Sequence, residues 1–478
     1  LIAPTLKPKR VVRLLALVAG ALLLLSVAAP AFAHGGFRIG YADPELASES
    51  ASARDDWAQK AVESSASLAR VNVSWASIAP VSPPPDFDPA DPHSPGYAWK
   101  NLDAAVRTAS AHGLQVLLTV QRAPAWAEGP GRPADLKPGV WKPDAGAYGA
   151  FARALAERYD GTFPDPLFPG SGLPRVRYFD AWNEPNLVNF LAPQVTGGKL
   201  VGPAMYRKLL NRFYAGVKKA QPGATVLGSS SASFGVPNGI STAPVLFLRE
   251  LLCLRGSRLK PVSCPEKAHM DKLSAHAIQV GPPTQSALSP LDATAPDMGR
   301  LAAVLRAAER AGTVRSKGRI RLWVTEFWVD TNPPDPHGIP LAQQARWYAQ
   351  NLYGYWRAGA EVAIELLLRD QSPDTEGFPL TLQSGVYFRD GTPKPSQTAM
   401  RFPFVAQRAG GNRVSIWGVA PRAGTVRIQV LRGGAWKALG KVHAAGLGHP
   451  FTTDVQLAGS GKVRAVIATE RSLPWRLG

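Results

Sequence analysis

Cysteine, acidic charge and long apolar runs are the scarce features of this 478-residue chain, and each scarcity removes a class of protein. Only Cys253 and Cys264 occur, with His269 the one histidine close by, too few ligands for a structural zinc site. The pair is either two free thiols or, as suits an exported chain with Pro and Gly between them, a disulfide closing a short loop. A single long apolar run, "LLALVAGALLLLSVAA", lies near the N-terminus behind Lys7, Lys9, Arg10 and Arg13 and ahead of Ala31-Phe32-Ala33. That pattern predicts an export signal over residues 1–33, cleaved before His34, with an uncleaved membrane anchor as the alternative. With the signal removed, no stable membrane insertion is expected, and the location is secreted or extracellular.

Acidic residues number 35 against 54 basic ones, a formal charge of +19, or about +15 without the four basic residues of the signal. The basic residues are mostly scattered arginines without a long run or a DNA-reading helix, which argues against nucleic acid. A solvated basic surface is the plain reading, and association with anionic cell-wall or extracellular polysaccharide is its further consequence. A Gly-rich phosphate loop after an early strand is also missing, which argues against an open doubly wound nucleotide-binding sheet.

A rhythm is present instead. From residue 37 to about 400, β-rich runs alternate with amphipathic helices: "FRIGY", "LARVNV", "QVLLTV", "VRYFDAW", "TVLGSS", "KLSAHAI", "RLWVT" and "VAIELLL" are eight strand candidates. In the helical segment "LAQQARWYAQNLYGYWRAG", Leu341, Ala345, Tyr348, Leu352 and Tyr355 share one face, and Gly113, Gly312 and Gly359 sit where helices need a left-handed last residue. Strands joined by helices pair in parallel, so eight units predict an α/β fold, a closed (β/α)8 TIM barrel over residues 34–404. Long Pro- and Trp-rich connections follow the second and third strands, at the rim where such barrels build their sites, and read as rigid cleft walls or as plain surface loops. Residues 405–478 change texture to short alternating runs with Gly turns, a small β-sandwich with 11 basic and two acidic residues. Its Trp417, Trp436 and Trp475 could bind sugar or pack in a core.

Two stretches carry the chemistry. "YFDAWNEPN" ends the fourth strand in Asn183 and Glu184, and "RLWVTEFW" ends the seventh in Glu326, 142 residues on. In one barrel both carboxyls face the cup at the C-terminal rim, the pairing that glycosidic bond cleavage requires: one protonated to donate to the leaving oxygen, one ionised to attack or stabilise the oxocarbenium-like centre.

"WNEPN" and "VTEFW" resemble the paired signatures of clan A of the glycoside hydrolases, the retaining (β/α)8 superfamily that includes families 5 and 39. The likeness extends loosely over residues 37–400. It implies a retaining β-glycoside hydrolase acting on a carbohydrate, an oligosaccharide or polysaccharide, without metal or organic cofactor. Carried over by motif, Glu184 resembles the general acid/base, Glu326 the nucleophile and Asn183 the partner of the sugar 2-hydroxyl. Arg70 resembles the clan's barrel arginine, holding Glu326 ionised or else pairing with Asp180; His276 occupies the place of the sixth-strand histidine, unless it is a satisfied core residue. Trp328 and Trp126 are placed to stack on sugar rings or to pack. The chain departs from the pattern at Ile278, where a tyrosine is usual, at Gln121-Arg122 in place of a histidine, and in "IELLLRDQ", which lacks the tryptophan platform. These departures leave sugar and subsite open, and a non-catalytic carbohydrate-binding or wall-associated barrel is the rival reading. Nothing in the sequence points to an oligomeric state.

Overall fold

A strand whose alternate residues are Leu, Arg and Asn on one side and Ala, Val and Val on the other must present one face to a narrow interior and the other to helices. The second strand, "LARVNVS", is such a case, and the computed structural model shows where both faces go. It describes residues 36–235, 240–374 and 376–477. The export signal expected over residues 1–33 lies outside the described residues.

Eight strands close into a parallel barrel in chain order: β1 (Arg38–Ala42), β2 (Leu68–Ser74), β3 (Gln115–Gln121), β4 (Tyr178–Ala181), β5 (Thr225–Ser231), β6 (Lys272–His276), β7 (Arg321–Phe327) and β8 (Ala360–Glu365). The ring is sealed where β8 pairs with β1, Tyr41 opposite Glu365. All eight segments expected from the sequence are present, as a (β/α)8 fold requires. Helices follow each strand: α1 (Ala51–Glu63), α2 (Lys100–Ala111), α3 (Ala145–Arg158), α4 (Gly202–Ala220), α5 (Pro244–Leu251), α6 (Met298–Ala311), α7 (Leu341–Arg357) and α8 (Pro395–Arg401).

Local chemistry sets the helix limits. Asp144 accepts from the Ala147 amide and caps α3, while Gly312, at φ +63°, ends α6 in the left-handed conformation that a Cβ disfavours. α3 and α4 approach closely because Gly216 meets Gly149: a Cβ on Gly216 would lie 2.1 Å from the Gly149 carbonyl oxygen. On α7, Ala345, Tyr348, Leu352 and Tyr355 are buried along one face.

Inside the barrel, Leu68, Leu117, Leu227, Trp323, Val362 and Ile364 form one apolar layer, with Ala42 at its edge. The next inward residues along β2 and β3 are Arg70 and Thr119, and beside them lie Asp180 of β4 and Ser274 of β6, all buried. The interior is therefore oily at mid-height and polar just beneath the C-terminal rim.

Beyond residue 403 the chain forms β9 (Phe404–Arg408), β10 (Arg413–Val419), β11 (Gly424–Arg432), β12 (Ala435–Ala444), β13 (Pro450–Gln456), β14 (Gly461–Ile467), β15 (Glu470–Arg471) and β16 (Trp475–Leu477). One antiparallel sheet runs β9-β10-β13; the other runs β12-β11-β14-β15, with β16 also on β14. Trp417 and Trp475 are core residues, and Trp417 packs edge-on and tilted among Phe37, Tyr353 and Trp356, seating the sandwich on α7. Cys253 and Cys264, after α5, are joined as a disulfide. Among the described residues, no helix is long and apolar enough to cross a membrane.

Candidate active site

The end of β4 is a tight, strained turn. Trp182 and Glu184 flank Asn183 with φ values of +76° and +43°, conformations that non-glycine residues adopt only when surroundings hold them. The surroundings do so: the Glu184 amide donates to the Ser230 carbonyl at 3.0 Å, and the Trp182 indole donates to the Phe190 carbonyl at 2.9 Å. Asn186, the last residue of "WNEPN", ties this loop to the one after β5. Its amide nitrogen donates to the Thr242 carbonyl, and its oxygen accepts from the Ala232 amide. The motif thus contains two lateral anchors, Trp182 and Asn186, around the polar pair Asn183 and Glu184.

Irregularities at the ends of β5, β6 and β7 re-aim side chains in the same place. Register shifts fall at Ser274/Ala275, at Ala275/His276 and between Val324 and Phe327, and they bring His276 opposite Glu326.

The result joins five of the residues named from sequence. His276 Nδ1 lies 2.9 Å from Glu184 Oε1 and 3.7 Å from Glu326 Oε2. Arg70 donates from Nη1 to Glu326 Oε2 at 2.7 Å and from Nη2 to Asn183 Oδ1 at 2.6 Å. Arg70 and His276 are 1% and 0% exposed, and the groups they touch here are the two carboxylates and Asn183. The choice left open for Arg70 is decided, since Glu326 and Asn183, not Asp180, receive its guanidinium.

Asp180 has its own plate of hydroxyls. Ser230 donates to Oδ2 at 2.5 Å, Ser274 donates to Oδ1 at 3.0 Å, and Thr119 bridges Arg70 Nε (3.0 Å) to Asp180 Oδ2 (3.4 Å). Burial pushes the Asp180 carboxyl up, outweighing the Arg70 charge and the serine hydrogen bonds. For Glu326, burial is again the largest single influence and acts upward. The His276 imidazole and the Arg70 guanidinium together overcome it and hold this carboxyl below its ordinary value.

The rim is braced. Trp126 meets Trp75 and Phe87 edge-on and donates from its indole to the Pro80 carbonyl at 2.9 Å, locking the loops after β2 and β3 together. Trp328, directly after β7, is half-buried and has no ring partner among the described residues. A second brace carries no recognisable motif: Lys394 Nζ, fully buried, donates to Thr331 Oγ1, Asp370 Oδ1 and the Gln383 carbonyl, joining the loops after β7 and β8. Burial raises Asp370 to about 6 and lowers the lysine. Ser230, Ser274 and Lys394 were not singled out by sequence reasoning, and Asp180 was named only as an alternative partner of Arg70; the serine run "GSSSAS" at the end of the fifth strand was the one available signal.

At the positions that depart from the clan's pattern, Arg122 has φ +62° and lies 5.3 Å over the Phe190 ring, and Ile278 donates only its amide, to Ser233 Oγ. Glu326 is steadied by Arg70 and His276 where a tyrosine is usual. Glu184, His276 and Glu326 also offer three donor atoms within 4.8 Å of one another, the one cluster among the described residues with the geometry to hold a cation. A metal there would face the Arg70 guanidinium already bonded to Glu326 Oε2, and that like charge disfavours it.

No protein-family model and no curated protein sequence matches the chain. Solved structures do. The chain is similar to a family 39 glycoside hydrolase from Bacteroides cellulosilyticus WH2, with 16% identity, TM-score 0.55, and coverage of 88% of this chain and 81% of that one. It is similar to a monomeric β-xylosidase from Caulobacter crescentus CB15, with 14% identity, TM-score 0.51 and coverage of 88% and 95%. A family 39 enzyme from Xanthomonas axonopodis pv. citri aligns at 14% identity and TM-score 0.50, covering 88% and 92%. The chain shares the (β/α)8 fold of these proteins.

Proposed function

We propose that this chain is an exported, retaining β-glycoside hydrolase that cleaves O-glycosidic bonds of an oligosaccharide or polysaccharide. The observation that carries the reading is the closeness of the two carboxylates: an oxygen of Glu184 and an oxygen of Glu326 lie within 4.8 Å of each other, with His276 Nδ1 between them. Inverting enzymes hold their carboxyl groups ~6.5–9.5 Å apart to admit a water, and retaining ones ~5–5.5 Å apart. The shorter spacing supports direct attack on the anomeric carbon.

In the first step Glu184 gives its proton to the glycosidic oxygen as that bond to the anomeric carbon breaks, and a Glu326 oxygen bonds to the same carbon. In the second, the Glu184 carboxylate takes a proton from water, whose oxygen attacks the anomeric carbon and frees Glu326. The lowered Glu326 carboxyl suits a group that must be ionised at the start. Asn183, fixed through its oxygen by Arg70, keeps its amide nitrogen for the sugar 2-hydroxyl. The steps call on two carboxyls and water and on no cofactor. Export is supported by the signal-like N-terminus and the disulfide. Residues 34–404 form the catalytic domain and 405–478 the accessory sandwich in this reading.

The test uses an activated 2-deoxy-2-fluoro β-glycoside. Labelling should appear on the peptide containing Glu326, and Glu326→Gln should lower turnover of an aryl β-glycoside on the order of 10⁴-fold or more. Unchanged turnover in that variant would end the proposal, and sugar binding with no label would favour the non-catalytic barrel.

A further inference from the structure

The sandwich has a face that its barrel contacts do not explain. Along β11 the side chains alternate between buried Val426, Ile428 and Val430 and outward Arg427 and Gln429. Lys441 on β12 is directly opposite Arg427, and Arg427 is in turn opposite Val466, which is opposite Arg471 on β15. Farther along, Arg464 pairs with Gln429 and lies 4.0 Å over the Trp436 ring, and Lys462 is directly opposite Arg476 on β16. Six cations therefore occupy one outer sheet face: Arg427, Lys441, Lys462, Arg464, Arg471 and Arg476. Five are exposed, and Arg464 is half-exposed.

None of the six makes an ion pair among the described residues. The two acidic residues of this region are used elsewhere: Asp454 lies near Arg413 on β10, and Glu470 near Arg401 of α8. Like charges directly opposite on neighbouring strands are destabilising by themselves, and this face holds two such pairs, Arg427 with Lys441 and Lys462 with Arg476. Arg464 shows the crowding, being lowered first by its partial burial and then by the charge of Arg471. A merely solvated face would be expected to carry acidic residues among these, as mixed surfaces do.

We propose that the outer face of the β12-β11-β14 sheet binds an anionic polysaccharide, a glycan bearing carboxylate groups, and so holds the enzyme on a polymer next to its substrate. A glycan is favoured over other polyanions for two reasons. Trp436, the face's aromatic ring, is capped by Arg464 and is not free to stack on a nucleic-acid base. Leu431 and Val466 are partly or fully covered, and among the described residues no large apolar side chain is exposed on this face to enter a membrane. The choice of glycan rests on the glycosidase reading, whereas the polyanion site itself does not.

The experiment measures binding of the full chain, carrying Glu184→Ala so that nothing is degraded, to polygalacturonate, its methyl-esterified form, a glycerol-phosphate polymer and single-stranded DNA. Polygalacturonate should bind, more weakly as salt rises and more tightly than the sugar-free glycerol-phosphate polymer, and its esterified form should not bind. Arg427→Gln with Lys462→Gln and Arg476→Gln should weaken that binding at least about tenfold and flatten its salt dependence. Lys208→Gln with Lys219→Gln, on α4, should leave it unchanged. In an otherwise unaltered chain, the triple variant should turn over aryl glycoside normally. No binding to polygalacturonate, equal loss in both variants, or tighter binding to DNA or to the glycerol-phosphate polymer than to polygalacturonate would overturn the proposal. Failure of the fluoro-sugar label would leave this result standing.

Discussion

Two neighbouring side-chain layers inside the barrel behave as different materials. Leu68, Leu117, Leu227 and Trp323 fill its middle with apolar surface; Arg70, Thr119, Asp180 and His276 lie nearer the C-terminal rim, equally buried but polar, with Thr119 bonded to Arg70 and Asp180, and His276 to Glu184. The lower layer needs only volume and shape. The upper layer needs its charged groups paired, because an unpaired buried charge costs several kcal/mol. Burial is thus common to both layers, and what differs is how each compensates for losing water. The upper layer can afford this arrangement because its charges converge: Arg70 serves Glu326, Asn183 and Thr119 at once.

The comparison is broken most severely by removing a charge from the upper layer. Arg70→Ala should cost about 3–5 kcal/mol in urea unfolding at pH 7, since it strands the Glu326 carboxylate beneath the rim. The sign with pH follows from the lowered Glu326 carboxyl. In the native chain it contributes stability above the ordinary glutamate value, lost as pH falls through the lower folded value. With Arg70 gone, burial outweighs the remaining His276 charge. The cost of the substitution should then shrink as pH falls toward and past the ordinary glutamate value, because the variant's raised carboxyl takes up its proton first, and the acid limb of the kcat/KM profile should move upward. A cost that does not vary between pH 7 and pH 4 would contradict the charge account.

Leu227→Ala, in the lower layer, should cost about 2–5 kcal/mol by leaving a cavity, with no dependence on pH and little change in that acid limb. A pH-dependent loss there would mean that the two layers are not separable. The smallest effect sharpens the contrast at the rim: Trp126→Phe keeps the ring between Trp75 and Phe87 but removes the hydrogen bond to Pro80, and should cost about 0.5–1.5 kcal/mol. Its kinetic readout is a change in KM with kcat held, the mark of a wall rather than of a reacting group.

Legibility from the sequence follows the same division. The apolar alternation of "QVLLTV" and "RLWVT" suffices to place strands, and the glycines after α2, α6 and α7 mark their ends, because both signals act within a few residues. Glu184 and Glu326 stand out as polar residues ending apolar strands. The partners of Arg70 could not be read, since Glu326 and Asp180 were both reachable from β2 and only the register shifts near His276 decide between them. Lys394 gave no signal, for a lone lysine is ordinary until Asp370, Thr331 and Gln383 surround it.

The amino-acid order by itself determined the eight-fold alternation, the two acidic strand ends, the close cysteine pair and the basic excess after residue 404. These are properties of neighbours along the chain, governed by period and local turn chemistry. The tertiary structure alone decided which carboxylate each cation serves, which tryptophans are core, and that six cations share one outer face. Those depend on distances between segments that only strand register and closure of the barrel can set.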